Sequence, residues 1–181
     1  REPEEIESTT INLLGEYLQV LRCYFAHIYD NERAVIEREF LRRDDSLSVI
    51  AEHSIANFSP PEQTEQFLRG ETVVNNDVLK NEKTVVLAEN FALFEIRAYL
   101  STPIFYGGEW VGVLIVISDV PRVWRDDEIK LLNEVTARVY PLIERARSER
   151  ALSESRARFD IVKDSAQVGF WFCDLPFDVL D

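Results

Sequence analysis

The chain predicts an α+β fold: a central antiparallel sheet, with the terminal helices on one face and short helices and loops covering the other. Three observations carry the prediction. Amphipathic helical patterns stand at both ends of a strand-rich middle. The strands come in pairs joined by tight-turn signals, which only antiparallel neighbours can use. Both faces of the first strand are substantially apolar, as a sheet covered on both sides requires. Neither a G-x-G-x-x-G nor a P-loop motif is present, so a doubly wound nucleotide fold is set aside.

Residues 3–20 read as the first helix. Ile6, Leu13, Leu14, Tyr17, Leu18 and Leu21 recur at helical spacing. Pro3, Glu4 and Glu5 suit a first turn, where a missing N–H costs nothing and a carboxylate meets the positive end of the helix dipole. "RCYFAHIYD" (22–30) and "RAVIEREFL" (33–41) are aromatic and β-branched around "DNE", which predicts a hairpin, and "SLSVIAEHSI" (46–55) predicts a weaker third strand. "SPPEQTEQFLRG" (59–70) predicts a short helix with prolines in its first turn and Gly70 at its end. An edge strand follows over 72–77, then a helix over 82–96 despite its valines. "RAYLSTPIFY" (97–106) and "EWVGVLIVIS" (109–118) form a strong hairpin about Gly107-Gly108. The last element is a long helix opening at "RDDEIKLLNEV", with Asp126 and Asp127 at its positive end. The first helix and residues 126–147 are expected to pack together on one face.

A chain of 181 residues suffices for one good core and an appendage. Its formal net charge of -13 repels phosphate backbones and anionic lipid surfaces, which argues against a nucleic-acid partner and against membrane contact. The longest apolar run, "WVGVLIVI" (110–117), is strand-sized, and no signal peptide opens the chain. Cys23 and Cys173 lie too far apart in sequence to suggest a disulfide framework or a metal spacing, so a reducing, cytoplasmic setting is expected. The chain opens on Arg1 and contains no methionine, which predicts a piece of a longer protein.

"LGEYLQVLRCYFAHIYD", "FLRGETVVNNDV", "IRAYLSTPIFYGGEWVGVLIVISDVPRVWRDDEIKLL" and "PLIERARSERALSESRARF" together resemble a GAF domain of the bacterial sensor-kinase type. "RFDIVKDSAQVGFWFCDLPFDVL" is similar to the opening of a PAS domain, a helix and then the strand "GFWFCDL". The resemblance implies a GAF domain over 1–147, a helical signalling linker over 148–157 and an N-terminal PAS fragment over 158–181. It implies a sensory or regulatory module of a signal-transduction protein, a histidine kinase, with downstream PAS and kinase domains in the same chain. A ligand-free dimerisation scaffold is the alternative. The helical linker is expected to be rigid, and so able to pass on a register shift that a Gly/Ser linker would absorb.

No catalytic constellation is present, so no enzyme activity is expected of these residues. His27 and His53 are the only histidines and sit in neither a nucleophile nor a metal pattern. The GAF-like methionine sulfoxide reductases need several reactive cysteines, and the GAF part has one. Strand alternation puts Arg22, Tyr24, Ala26 and Ile28 on one face of the first strand and Cys23, Phe25, His27 and Tyr29 on the other. By resemblance to phytochrome-type GAF domains, the first face looks into a candidate ligand pocket beneath the short helices and loops. The candidate ligand-binding set is then Arg22, Tyr24, Ala26, Tyr99, Ser101, Val113, Ile115 and Ile117.

The cofactor is not identified by sequence. Positions 85–87 read "VVL" where bilin-binding domains carry a Cys-His or a His, which argues against a bilin. Haem would need an axial ligand, for which only His53 is in prospect, and the separated N-K, F and D-E pattern of cyclic-nucleotide GAF domains is absent. No metal site is expected. A parallel homodimer through the terminal helices is expected from Ile129, Leu132, Val139, Ile143 and Ala146, which repeat at coiled-coil spacing. Pro141 interrupts that stretch and predicts a bend.

Overall fold

The computed structural model describes residues 2–171, with side chains described as far as residue 161. Helix α1 spans Pro3–Leu18, with Pro3 in its first turn, and ends where Gln19 turns left-handed at φ 53°. Strand β1 (Arg22–Tyr29) turns through Asp30 and Asn31, both at φ 55°, into β2 (Arg33–Ile36). Paired positive φ values match the right-handed twist of a hairpin. The predicted strand 33–41 is broken at Glu37–Arg38: β2 pairs with β1 at His27↔Val35, and β3 (Glu39–Leu41) pairs with β1 lower down, at Cys23↔Phe40.

The weak strand predicted over 46–55 is realised only as β4 (Ala51–Ser54), followed by a 3-10 turn at Ile55–Asn57. Helix α2 (Pro61–Leu68) and β5 (Val73–Asn75) fall inside their predicted ranges. The helix expected over 82–96 shrinks to a 3-10 turn at Val85–Leu87 and α3 (Ala88–Leu93), because β-branched Val85 and Val86 lose side-chain freedom in a helix and leave it late to start. Strands β6 (Ala98–Tyr106) and β7 (Glu109–Ser118) close on Gly107 and Gly108, at φ 61° and 85°.

Helix α4 runs unbroken from Asp126 to Trp171, with Pro141 inside it. Gly169, Phe170 and Trp171, predicted as the start of a strand, are helical; residues 172–175 of that predicted strand lie outside the described residues. No described helix is long and apolar enough to cross a membrane.

The sheet is antiparallel throughout, in the order β4-β2-β1-β7-β6-β5 with β3 also on β1. One face packs on α1 and α4 through Ile11, Leu14, Leu18, Phe25, Leu114, Leu132 and Ile143. The other packs under the β4–α3 layer through Tyr24, Phe67, Phe91, Tyr99 and Trp110. The two terminal helices therefore share one face, as the paired patterns predict.

The same packing corrects the proposed dimer seam. Leu132 and Ile143 are fully buried in the chain's own core, and Ile129 and Val139 lie against it. Leu132 and Ile143 are thus taken up by the chain's own sheet and are not available to a second helix. Ala146 is half-buried.

Candidate functional site

Between the sheet and the short-helix layer lies a cavity of about 100 Å³. Alternation along three adjacent strands brings Tyr24 and Ala26, Tyr99 and Ser101, and Val113, Ile115 and Ile117 onto its floor, seven of the eight predicted residues. Register explains the convergence, since Tyr24 pairs with Ile115, Ala26 with Val113 and Ser101 with Ile115.

Arg22 does not line the cavity. Its fully buried guanidinium donates to Glu39 Oε2 at 2.8 Å, Leu47 O at 2.6 Å and Phe94 O at 3.2 Å. Glu39 in turn accepts from Ser48 Oγ and from the Val49 amide, at 2.5 and 3.2 Å. A buried guanidinium needs a carboxylate and carbonyls around it, and neither Glu39 nor Leu47 lines the cavity. Its role is to brace Phe94 and Val49, which do line the cavity.

The cover supplies wall residues that strand periodicity could not nominate. The His53 ring meets Phe58 and Phe94 edge-on at 5.5 and 5.6 Å, and Phe91 packs against Phe58 in turn. His53 Nε2 lies 2.8 Å from Val49 O, and a carbonyl can only accept. Nε2 therefore carries a proton. Tyr99 OH donates to Gln63 Oε1 at 2.5 Å across the cavity's edge.

Trp110 should face the helices by alternation from Val113. A β-bulge shifts the register, pairing Ile104 with Gly112 but Phe105 with Trp110, so the indole turns to the cavity side and stacks on Phe67 at 5.6 Å.

The cavity is electrically quiet. Burial pushes the Tyr99 phenol up to about 12 against the pull of Asn75 and Gln63, and pushes Tyr24 higher still. Both stay neutral at physiological pH. Cys23, the only cysteine among the described residues, points into the helix-side core, where burial raises its thiol well above the usual range. It is neither near the cavity nor a nucleophile.

On the opposite face, Glu7, His27 and Glu37 bring donor atoms within 4.8 Å of one another. The place a cation would take is filled by guanidinium groups. Arg38 donates to Glu7 and Glu37 at 3.1 and 3.2 Å, and Arg147 donates to Glu7 at 2.7 Å.

The profile of the GAF domain family matches residues 2–140. No curated protein matches the chain. Among solved structures, the chain is similar to a far-red cyanobacteriochrome photoreceptor, at 21% identity over 80% of this chain and 87% of that one, with a TM-score of 0.68. The blue-light-absorbing form of the PixJ GAF domain of Thermosynechococcus elongatus aligns at 20% identity, over 84% and 91% of the two chains, with a TM-score of 0.71. The phycocyanobilin-bound GAF domain of a cyanobacterial phytochrome aligns at 15% identity, over 82% and 88%, with a TM-score of 0.72. These likenesses concern the fold. They also overturn the sequence argument against a bilin, because domains with this same architecture are bilin-bound, and the argument had rested on the residues at 85–87 alone. With the family profile covering residues 2–140 of 181, this chain belongs to the GAF domain family.

Proposed function

We propose that this GAF domain is the sensory part of a signal-transduction protein of the histidine-kinase type. In this reading it takes a flat, conjugated and mainly apolar small molecule between β1, β6, β7 and the cover, and relays the event through α4 toward a PAS unit. One observation carries the proposal: an aromatic-walled, uncharged cavity lies on the sheet face opposite the exit helix. A cavity of about 150 Å³ takes a benzene ring, so a space of about 100 Å³ holds little as it stands. A larger ligand enters by displacing the cover. That is feasible because α3 has six residues and is flanked by a 3-10 turn, too short to hold its shape without its packing.

The bilin-bound neighbours bring linear tetrapyrroles into this ligand class. Tyr24, Phe91, Phe94 and Tyr99 supply faces for a conjugated ring system, with His53 and Gln63 as polar contacts. Among the described residues no thiol reaches the cavity, so these contacts would hold a bilin without a covalent link there. A bound bilin supplies light absorption.

The test is absorption and induced circular dichroism of the purified chain mixed with biliverdin, with phycocyanobilin, and with a single-ring apolar probe. A saturable induced band, lost in a folded Val113→Trp variant whose indole fills the cavity, is the expected result. No binding of any probe, or equal binding by the filled variant, would overturn the reading.

A further inference from the structure

We propose that Glu7, His27 and Arg147 form a protonation-sensitive latch, tying the part of α4 that leaves the domain to the strand that carries the cavity wall. Glu7 on α1 is buried, yet it serves three partners from three other segments. Its Oε2 takes Arg38 at 3.1 Å, and its Oε1 takes Arg147 of α4 at 2.7 Å and faces His27 Nε2 of β1 at 3.5 Å. Arg147 also donates toward His27 Nε2 at 3.3 Å. Nε2 can accept from Arg147 only while it holds a lone pair; with a proton on it, the same atom faces Glu7 Oε1 as a donor.

Position makes the cluster more than a core ion pair. Among the described residues, Arg147 and Arg150, the latter bonded to Glu4 at 2.9 Å, are the last of α4 that form ion pairs with α1. From Ser148 to Ile161 every side chain is exposed. His27, in turn, sits between Ala26 and Ile28, both of which line the cavity on the strand's other face.

Protonating His27 places an imidazolium beside the Arg147 guanidinium, with Arg38 already on the same carboxylate. Three cations then share Glu7. The remaining groups around them are Glu4 on α1, Tyr29 on β1, Glu37 beside Arg38, and Tyr140 and Glu144 on α4. Arg147 is the partner able to leave. It is partly exposed and already holds Glu144 at 2.9 Å, whereas His27 is fixed in the sheet. The exit segment loosens once His27 takes up a proton. Glu7 itself does not interfere there. Burial alone would raise its carboxyl, but the hydrogen bond and charge of a protonated His27, with the charges of Arg147 and Arg38, hold it below the usual carboxylate range.

Amide exchange of the whole chain, expressed as protection factors to remove the intrinsic pH dependence, tests the latch without any ligand. Its failure is therefore separable from failure of the cavity reading. As pH is lowered from about 7.5 to about 5.5, a span that contains the model-peptide imidazole value, protection over residues 143–152 is expected to fall about tenfold while β6 and β7 hold theirs. In His27→Gln the step disappears. Should that variant not fold, Arg147→Gln replaces it, with the segment already loose at the higher pH and no further step. Absence of a selective step in the wild-type chain, or a step that survives in a folded variant, overturns the proposal.

Discussion

Arg22 shows how a strand's alternation can give the right face and the wrong role. Its side of β1 is the side of Tyr24 and Ala26, and the sequence places all three toward a ligand. A guanidinium that is fully buried, however, seeks a carboxylate, and Glu39 of the neighbouring β3 supplies it. Both partners are nearly inaccessible to solvent, so removing one strands the other. Arg22→Met should destabilise the domain by about 3–5 kcal/mol, and Arg22→Met with Glu39→Gln should recover part of the loss. Urea denaturation of the two variants measures both quantities. A loss under about 1 kcal/mol for the single variant would mean that water reaches Glu39 and that the brace on Phe94 and Val49 is dispensable.

At the scale of elements, α1 meets β3 through a glycine. Gly15 lies mid-helix, where alanine would ordinarily gain about 1 kcal/mol. A Cβ there would fall 2.1 Å from the Phe40 ring, which is buried and held in the pairing of β3 with β1. Overpacking of that kind costs about 1–3 kcal/mol, so Gly15→Ala should lower stability by up to about 2 kcal/mol net. In a Phe40→Leu background the same change should be neutral or favourable. Thermal unfolding of the pair decides it, and a stabilised Gly15→Ala in the wild-type background would contradict the contact.

Much of this layout is legible in sequence, for physical reasons. Gly107-Gly108 and the alternation about it mark the β6–β7 hairpin, and period-two faces locate Tyr24, Ala26, Tyr99 and Ser101. What is not legible arises from contacts distant in the chain. The bulge opposite Phe105 turns Trp110 over, and Gln63 reaches Tyr99 across 36 positions. Neither leaves a local periodic signal.

For the whole molecule, the described structure removes one dimer interface and leaves another open. Leu132 and Ile143 belong to the core, but beyond Arg147 the helix carries Leu152 and Phe159, seven residues apart and 53% and 70% exposed. A seven-residue spacing is that of a coiled-coil seam. Two copies would bury four such side chains, worth about 6–12 kcal/mol, which is of the same order as the cost of bringing two molecules together. The net charge of -13 on each copy opposes them further, more so at low salt. A parallel homodimer through this segment is therefore expected to be weak. It should form at about 100 µM, dissociate near about 1 µM, and strengthen as added salt screens the repulsion. Leu152→Glu with Phe159→Glu should be monomeric throughout, with an unchanged circular dichroism spectrum over the domain. Light scattering across that concentration range is the measurement. A wild-type chain that stays monomeric at about 100 µM, or a double variant that still dimerises, would place any association elsewhere on the surface.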